Sequence, residues 1–309
     1  MEITTELRKR FCKDANLPIN MFKDPYFTNR LKTLDVMYNC ITQYELFCEE
    51  IKRFKTEQDY FEEYNKIKDE AINFIKNSEK FKEFNEIKIE GVNNGICGND
   101  IYKETCVNKY FISIDIRKAN FTCIKHYSPE IFDGKETWEE FIGKFTDLEH
   151  IKNSKYIRQV VLGNCNCGRH IKYEKYLMNN ILNLLIEKVD REKIVFFSND
   201  EIVFEVSKLK KDEIKKYEDM TKELEKESGI SLKCTYFHLK RLNNKMAYIK
   251  ILENSDGNIS YDIKCADTNF IHLIVKFLYN LKLDEIDYHF WALGMIVKAI
   301  DIPVIEFEE

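Results

Sequence analysis

Apolar side chains recur every three or four positions through the first 90 residues, as in Leu31, Leu34, Met37, Tyr38, Ile41 and Tyr44, and again in Tyr60, Tyr64, Ile67, Ala71, Phe74 and Ile75. That spacing gathers them on one face of a helix and predicts a helical region over residues 1–90. Glu62, Glu63, Lys66, Asp69 and Glu70 fill the opposite face as solvated charge, and Pro18 and Pro25 punctuate the start. Near Gly91 the texture changes to GVNNGICGNDIY, where turn-forming residues between short β-prone pieces predict a boundary and a hairpin.

Beyond residue 110 the period shortens. Tyr110 to Ile116 (YFISIDI) and Tyr156 to Leu162 read as strands, Thr137 to Lys144 as a short helix, and His170 to Val189 as a long helix. Lys193–Phe197 and Ile202–Val206 are apolar runs joined by Ser198, Asn199, Asp200 and Glu201, the residue types of a tight turn. Ser207 is expected to cap a helix reaching about Glu227, which Gly229 closes, and Ser231–Leu239 and Ala247–Leu252 read as further strands. The order is a βαββαβ-like sheet with helices on one face. Two helical patterns follow, around Phe270–Leu281 and Asp284–Ile300. The chain thus divides into an α+β arrangement of three parts: residues 1–90, 91–255 and a helical addition over 256–309.

Composition narrows the possibilities. With 309 residues, 44% of them hydrophobic, the chain can bury one large core or two modest ones. Lys plus Arg number 48 against 53 Asp plus Glu, so a net charge of −5 excludes a surface basic all over, and any nucleic acid must use a local groove. No apolar run is long enough to span a bilayer, and MEITTELRKRF lacks the apolar core of a signal peptide; a soluble, cytoplasmic protein without membrane partners is expected. The 10 cysteines have no framework spacing, which in a reducing compartment predicts buried thiols and no disulfides.

The candidate chemistry lies at the strand ends. Asp115 closes one apolar run and Asp200 sits in the turn between two others, each placed to deliver a carboxylate beyond a strand. A hard cation such as Mg²⁺ takes oxygen ligands and keeps several waters, so one or two protein carboxylates plus substrate phosphates complete its shell. On adjacent strands Asp115 and Asp200 can serve a two-metal centre with Mg²⁺ or Mn²⁺. Glu201 ranks third, because the pleat turns it away from Asp200 unless the turn twists it back. The plainer reading is that acids after strands are ordinary turn chemistry.

These residues carry a resemblance. DIRKANF, led by Asp115, resembles motif A of reverse transcriptases and related right-hand polymerases, and SNDEIVF resembles their motif C, with Ser198 at the aromatic position and Glu201 as the second acid. QVVLGNCNCG, from Gln159 to Gly168, followed by the 170–189 helix, is similar to the Gly-containing loop and helix of motif B. The resemblance covers roughly residues 105–255. It implies a palm-type, ferredoxin-like split βαββαβ sheet, with fingers-like and thumb-like additions at either end, and a template-dependent nucleotidyltransferase acting on nucleoside triphosphates with a nucleic acid template or primer and, at this size, other protein subunits.

Carried over to this chain, the resemblance implies Asp115 and Asp200, with Glu201, as catalytic metal ligands, and Arg117, Lys118, Arg169 and Lys172 as phosphate contacts. Gln159 belongs to the motif that supports template base and incoming nucleotide. Asn120 occupies the position at which the family sorts ribose from deoxyribose, and its amide points to ribonucleotides; a register one residue later puts Phe121 there instead.

Other readings compete. Asn199, Asp200 and Glu201 also resemble the Gly-Gly-Asp-Glu-Phe hairpin of diguanylate cyclases, although Ser198 and Asn199 replace both glycines. Cys123 and His126 with Cys165, Cys167 and His170 offer soft ligands for zinc, but Cys-x-Cys is a poor chelate and buried thiols are the simpler expectation. A palm-like module that binds or assembles without catalysis is the third alternative.

Overall fold

The computed structural model describes residues 2–96 and 100–308. The N-terminal part is helical: α1 (Thr5–Asp14), α2 (Tyr26–Tyr38), α3 (Cys40–Ile51), α4 (Glu57–Asn77) and α5 (Glu79–Glu86). In α4 the start is fixed by a reciprocal cap, Asp59 N–H donating to Thr56 Oγ1 at 3.1 Å and Thr56 N–H to the Asp59 carboxylate at 2.9 Å. Tyr60, Tyr64, Ile67, Ala71 and Ile75 then form the buried stripe that periodicity predicts.

Strand β1 (Tyr110–Ile116) follows, then α6 (Ala119–Tyr127), α7 (Trp138–Ile142), α8 (Glu149–Lys152), α9 (Lys155–Gly163) and α10 (Cys167–Leu185). Hairpin β2 (Ile194–Phe197) and β3 (Glu201–Val206), helix α11 (Lys211–Ser228), and strands β4 (Leu232–Arg241), β5 (Tyr248–Glu253) and β6 (Ile259–Lys264) complete the sheet. Its six strands run in the order β2-β3-β1-β4-β5-β6, and every adjacent pair is antiparallel. The chain is therefore an α+β protein, with no described helix long and apolar enough to cross a membrane.

Alternation along β1 sorts the two faces of the sheet. Ile112, Ile114 and Ile116 join the main core with residues of α6, α10 and α11, while Phe111 packs on the other face with Val203, Phe237 and Leu239 under Ile101 and Cys106. Each fully buried Ile or Phe there contributes roughly 1.5–3 kcal/mol, so β1 is anchored from both sides and its C-terminal end is held in place.

Several expectations need correction. Residues 156–162 are helical: Ser154 Oγ accepts the Ile157 N–H at 3.0 Å as N-cap, and Ile157 and Val161, four apart, are both buried. Lys210, not Ser207, precedes the first turn of α11, although Gly229 closes it with φ +68° as predicted. Residues 91–96 and 100–103 form no strand, and the rest of the expected 91–102 hairpin lies outside the described residues. The segment 256–309 is not helical throughout. β6 extends the sheet across residue 255, α12 (Ile271–Leu278) follows, and the expected helix over 284–300 is a 3₁₀ turn and a hairpin of β7 (His289–Ala292) and β8 (Met295–Lys298). Leu293 and Gly294, at φ +51° and +80°, are the two positive-φ residues such a two-residue hairpin loop requires.

Candidate metal and nucleotide cleft

Strands β1 and β3 are neighbours, with Asp115 directly opposite Glu201 on one side and Lys233 of β4 on the other. The Ile116 N–H donates to the Asp200 carbonyl at 2.8 Å and ties the β2–β3 turn to the end of β1. Ser198 shapes that turn: its hydroxyl donates to Asp200 Oδ1 at 3.0 Å and accepts the Glu201 N–H at 3.0 Å. A serine at this position makes an internal brace for the acidic turn.

Asp115 and Asp200 both line a cleft of about 410 Å³, bounded by the start of α6, by α9 and by the first turns of α10. Asp115 is half-buried, and among the described residues its carboxylate has no hydrogen-bond donor or ion-pair partner. Burial first, then the negative charges of Asp200 and Glu201, push its pKa up to about 6, against the partial relief of Lys233 and Lys250. Glu174 of α10 is a third acid on the cleft wall; it is buried, its pKa is raised chiefly by burial, and it accepts a hydrogen bond from Asn199 Nδ2 at 2.8 Å.

The facing wall is cationic and polar. Lys155, Arg158 and Gln159, spaced along one face of α9, line the cleft, and Arg158 Nε donates to Asn120 Oδ1 at 3.3 Å. Burial lowers the Arg158 pKa, and no carboxylate is within ion-pairing distance of its guanidinium among the described residues. A half-buried guanidinium without an anion is a ready receptor for one. Lys118 also lines the cleft, at left-handed φ +49°, but its ammonium is paired with Glu139 at 2.5 Å. His170 lies at the base, packed on Phe81 and Phe84, with Nε2 lacking a partner; burial takes its pKa down to about 4, so the ring is neutral at physiological pH.

Of the residues singled out from sequence, the cleft therefore gathers Asp115, Asp200, Lys118, Asn120, Gln159, Cys167 and His170. Others are placed elsewhere. Glu201 Oε1 accepts from Ser113 Oγ at 2.6 Å and lies 3.6 Å from Lys250 Nζ, outside the cleft lining, because the pleat separates it from Asp200. Arg117 Nε is spent on the Leu232 carbonyl at 2.8 Å, and Arg169 on the carbonyls of Phe84 and Ile87 at the end of α5. Phe121 is buried against Phe132 and Trp138, so it cannot stand at a sugar. Lys172 is exposed and does not line the cleft. Cys165 is buried, with its pKa raised to about 12 by burial, while Cys167 is exposed at the cleft; Cys123 is buried on α6 and His126 is exposed.

Sequence reasoning missed Lys155, Arg158 and Glu174. The signal for the first two was helical spacing: read as a helix from the Ser154 cap, α9 places residues 155, 158 and 159 on one face.

The donor set can be judged from this geometry. Among the described residues no three His, Cys, Asp or Glu side chains converge closely enough to hold a metal by themselves. Two carboxylates facing one cleft, one of them with a pKa raised first by burial and then by neighbouring negative charge, fit a hard cation that arrives with a phosphate ligand and do not fit a closed protein-only cage. No family model, curated protein or solved structure matches the chain.

Proposed function

We propose that the chain is a template-dependent nucleotidyltransferase built on a palm-type core, with Asp115 and Asp200 as its metal-binding acids. The observation that carries this reading is their shared cleft, whose opposite wall presents Arg158 and Lys155. Support comes also from the sheet: strands β2-β3-β1-β4, with crossover helices between β1 and β2 and between β3 and β4, have the order and connections of the ferredoxin-like split βαββαβ unit.

In this reading the triphosphate of an incoming nucleotide lies between the two walls. Arg158 and Lys155 supply positive charge and donors to its oxygens and fix its orientation. Asp115 and Asp200 would hold Mg²⁺, whose contribution there would be to lower the pKa of the attacking hydroxyl and to offset charge on the leaving pyrophosphate. The 3′-hydroxyl oxygen forms a bond to the α-phosphorus as the bond to pyrophosphate breaks, and the hydroxyl proton passes to solvent. Asn120 has its oxygen engaged by Arg158 and by the Phe121 N–H at 2.9 Å, which leaves its Nδ2 to donate to a ribose hydroxyl. Ribonucleotides are accordingly the preferred substrates.

The test is incorporation of labelled ribo- and deoxyribonucleoside triphosphates on primed and unprimed templates, with Mg²⁺ or Mn²⁺, comparing the native chain with Asp115→Asn. Metal-dependent product from the native chain alone supports the reading. A cyclised mononucleotide in place of polymer assigns the site to a cyclase, and no product from either chain removes the enzymatic reading.

A further inference from the structure

Helix α9 separates the catalytic cleft from a second, larger one. Lys155, Arg158 and Gln159 face the first, while Tyr156 lines the second, a cavity of about 670 Å³ between the segment Lys9–Phe22, the end of α2, strand β6 and the start of α12. Its lining includes three aromatic and three cationic side chains, Phe22, Tyr38 and Tyr156 with Lys9, Lys13 and Lys264. Arg10, stacked 4.3 Å from the Tyr156 ring centroid and 4.9 Å from that of Tyr64, fixes the Tyr156 ring in place. Lys13, in the last turn of α1, has no ion pair or side-chain hydrogen bond among the described residues.

We infer that this second cleft, on the far side of α9 from the first, is a tract that binds single-stranded nucleic acid. Aromatic rings on which bases stack, beside ammonium groups for the backbone, are the two elements of sequence-tolerant single-strand binding; Lys9 and Arg10 already lie over the Phe22 and Tyr156 rings, and Tyr38 offers a face with no cation over it among the described residues. The one carboxylate on the wall, Asp262, is paired with Lys264 at 3.0 Å, and Lys9 is paired with Glu6 at 2.6 Å. Both are solvent-accessible pairs, which contribute little in water and exchange readily for a phosphate. With an overall charge of −5 any nucleic acid must use a local groove, and the lining of this one carries Lys9, Lys13 and Lys264 against Asp262 alone. The tract rests on the polymerase reading for its purpose, since a templated enzyme needs a path for a single strand, but its binding chemistry is independent of catalysis.

Fluorescence anisotropy with labelled oligo-U and oligo-dT 12-mers separates the two claims. The native chain binds both, and a Lys13→Glu/Lys264→Glu double variant, whose changes lie on the surface, weakens both about 10-fold with a shallower salt dependence. Tyr38→Leu weakens binding several-fold at unchanged salt slope, as loss of a stacking face requires. A fluorescent nucleoside triphosphate bound at the first cleft is unaffected by any of these changes, and circular dichroism melting confirms the fold of each variant. Native-like oligonucleotide binding by the double variant, or no binding by the native chain, overturns the tract. If the native chain incorporates no nucleotide yet loses oligonucleotide binding in the double variant, the tract stands and the polymerase reading falls.

Discussion

Buried acids in the helical and C-terminal parts of the molecule are surrounded by donors, whereas the half-buried Asp115 at the end of the sheet has none among the described residues. Glu50 accepts from the backbone N–H groups of Glu149 and His150 at 2.6 and 3.1 Å and lies 2.5 Å from His150 Nδ1. Burial alone would raise its pKa, but the hydrogen bonds from His150 and Glu149 outweigh it and hold the carboxyl below its ordinary value. Asp287, fully buried, accepts from Lys276 Nζ at 2.6 Å and the Asp284 N–H at 2.7 Å, and Arg30 lies 3.3 Å away. Asp115 has no such shell, and burial, then the charges of Asp200 and Glu201, raise its pKa. Glu50 and Asp287 are thus held by donors from within the fold, and the open carboxylate of Asp115 at the cleft is the one the proposed function gives to an external cation.

The comparison breaks most visibly at Asp115 itself. Asp115→Asn and Asp200→Asn are each expected to lower nucleotide incorporation by about 10³-fold or more, roughly 4 kcal/mol in barrier, without loss of folding stability. Steady-state incorporation beside urea unfolding measures both halves. Asp287→Ala should behave in the opposite way. It strands Arg30 as a buried cation without a carboxylate and leaves Lys276 with Asp284, 3.2 Å away, as its only carboxylate, a loss of about 3–5 kcal/mol in urea denaturation.

A smaller contrast concerns the arginines. Arg158→Ala removes the free guanidinium of the cleft and should raise the KM for nucleoside triphosphate about 10- to 100-fold. Arg169→Ala instead releases the α5 carbonyls and lowers thermal stability with no selective change in KM. Substrate titrations of the two variants, each at its own stable temperature, distinguish them.

The smallest effect is one of pH. The folded-state pKa of Asp115, about 6, lies above the ordinary carboxylate value, so the folded protein binds the proton more tightly than the unfolded chain. The associated stabilisation is complete below the unfolded pKa and is lost as pH rises through about 6. Asp115→Asn should therefore match the native melting temperature near pH 4 and exceed it by about 2–4 °C at pH 7.5 in metal-free buffer. Scanning calorimetry at the two pH values reads this difference, and equal melting temperatures at pH 7.5 would mean that Asp115 is compensated after all.

Much of the acidic half of the site was legible because its signals are local. YFISIDI alternates apolar residues and ends in an acid, and two β-prone runs around Ser-Asn-Asp-Glu define a hairpin, so Asp115 and Asp200 could be paired before any fold was known. The cationic half was hidden by one misassigned element. Ile157, Val160 and Val161 are β-branched and suggested a strand, yet the Ser154 cap and the burial of Ile157 and Val161 against the core decide for a helix. Arg169 and Arg117 looked like phosphate ligands because nothing in the sequence reveals which distant carbonyls will claim a guanidinium. The C-terminal hairpin escaped for a similar reason: Phe290 is packed on Phe270 and His272, contacts that favour a strand over the helix its neighbours suggested.

The central claim, that Asp115 and Asp200 form an open cation site completed by a nucleotide, is tested most directly by counting bound Mn²⁺ with electron paramagnetic resonance, with and without a non-hydrolysable nucleoside triphosphate. The account predicts weak binding by the native chain alone, at least one tightly bound ion once the nucleotide is present, and loss of that ion in both Asp115→Asn and Asp200→Asn. Equal Mn²⁺ uptake by the native chain and both variants, or none by the native chain with nucleotide present, would contradict it.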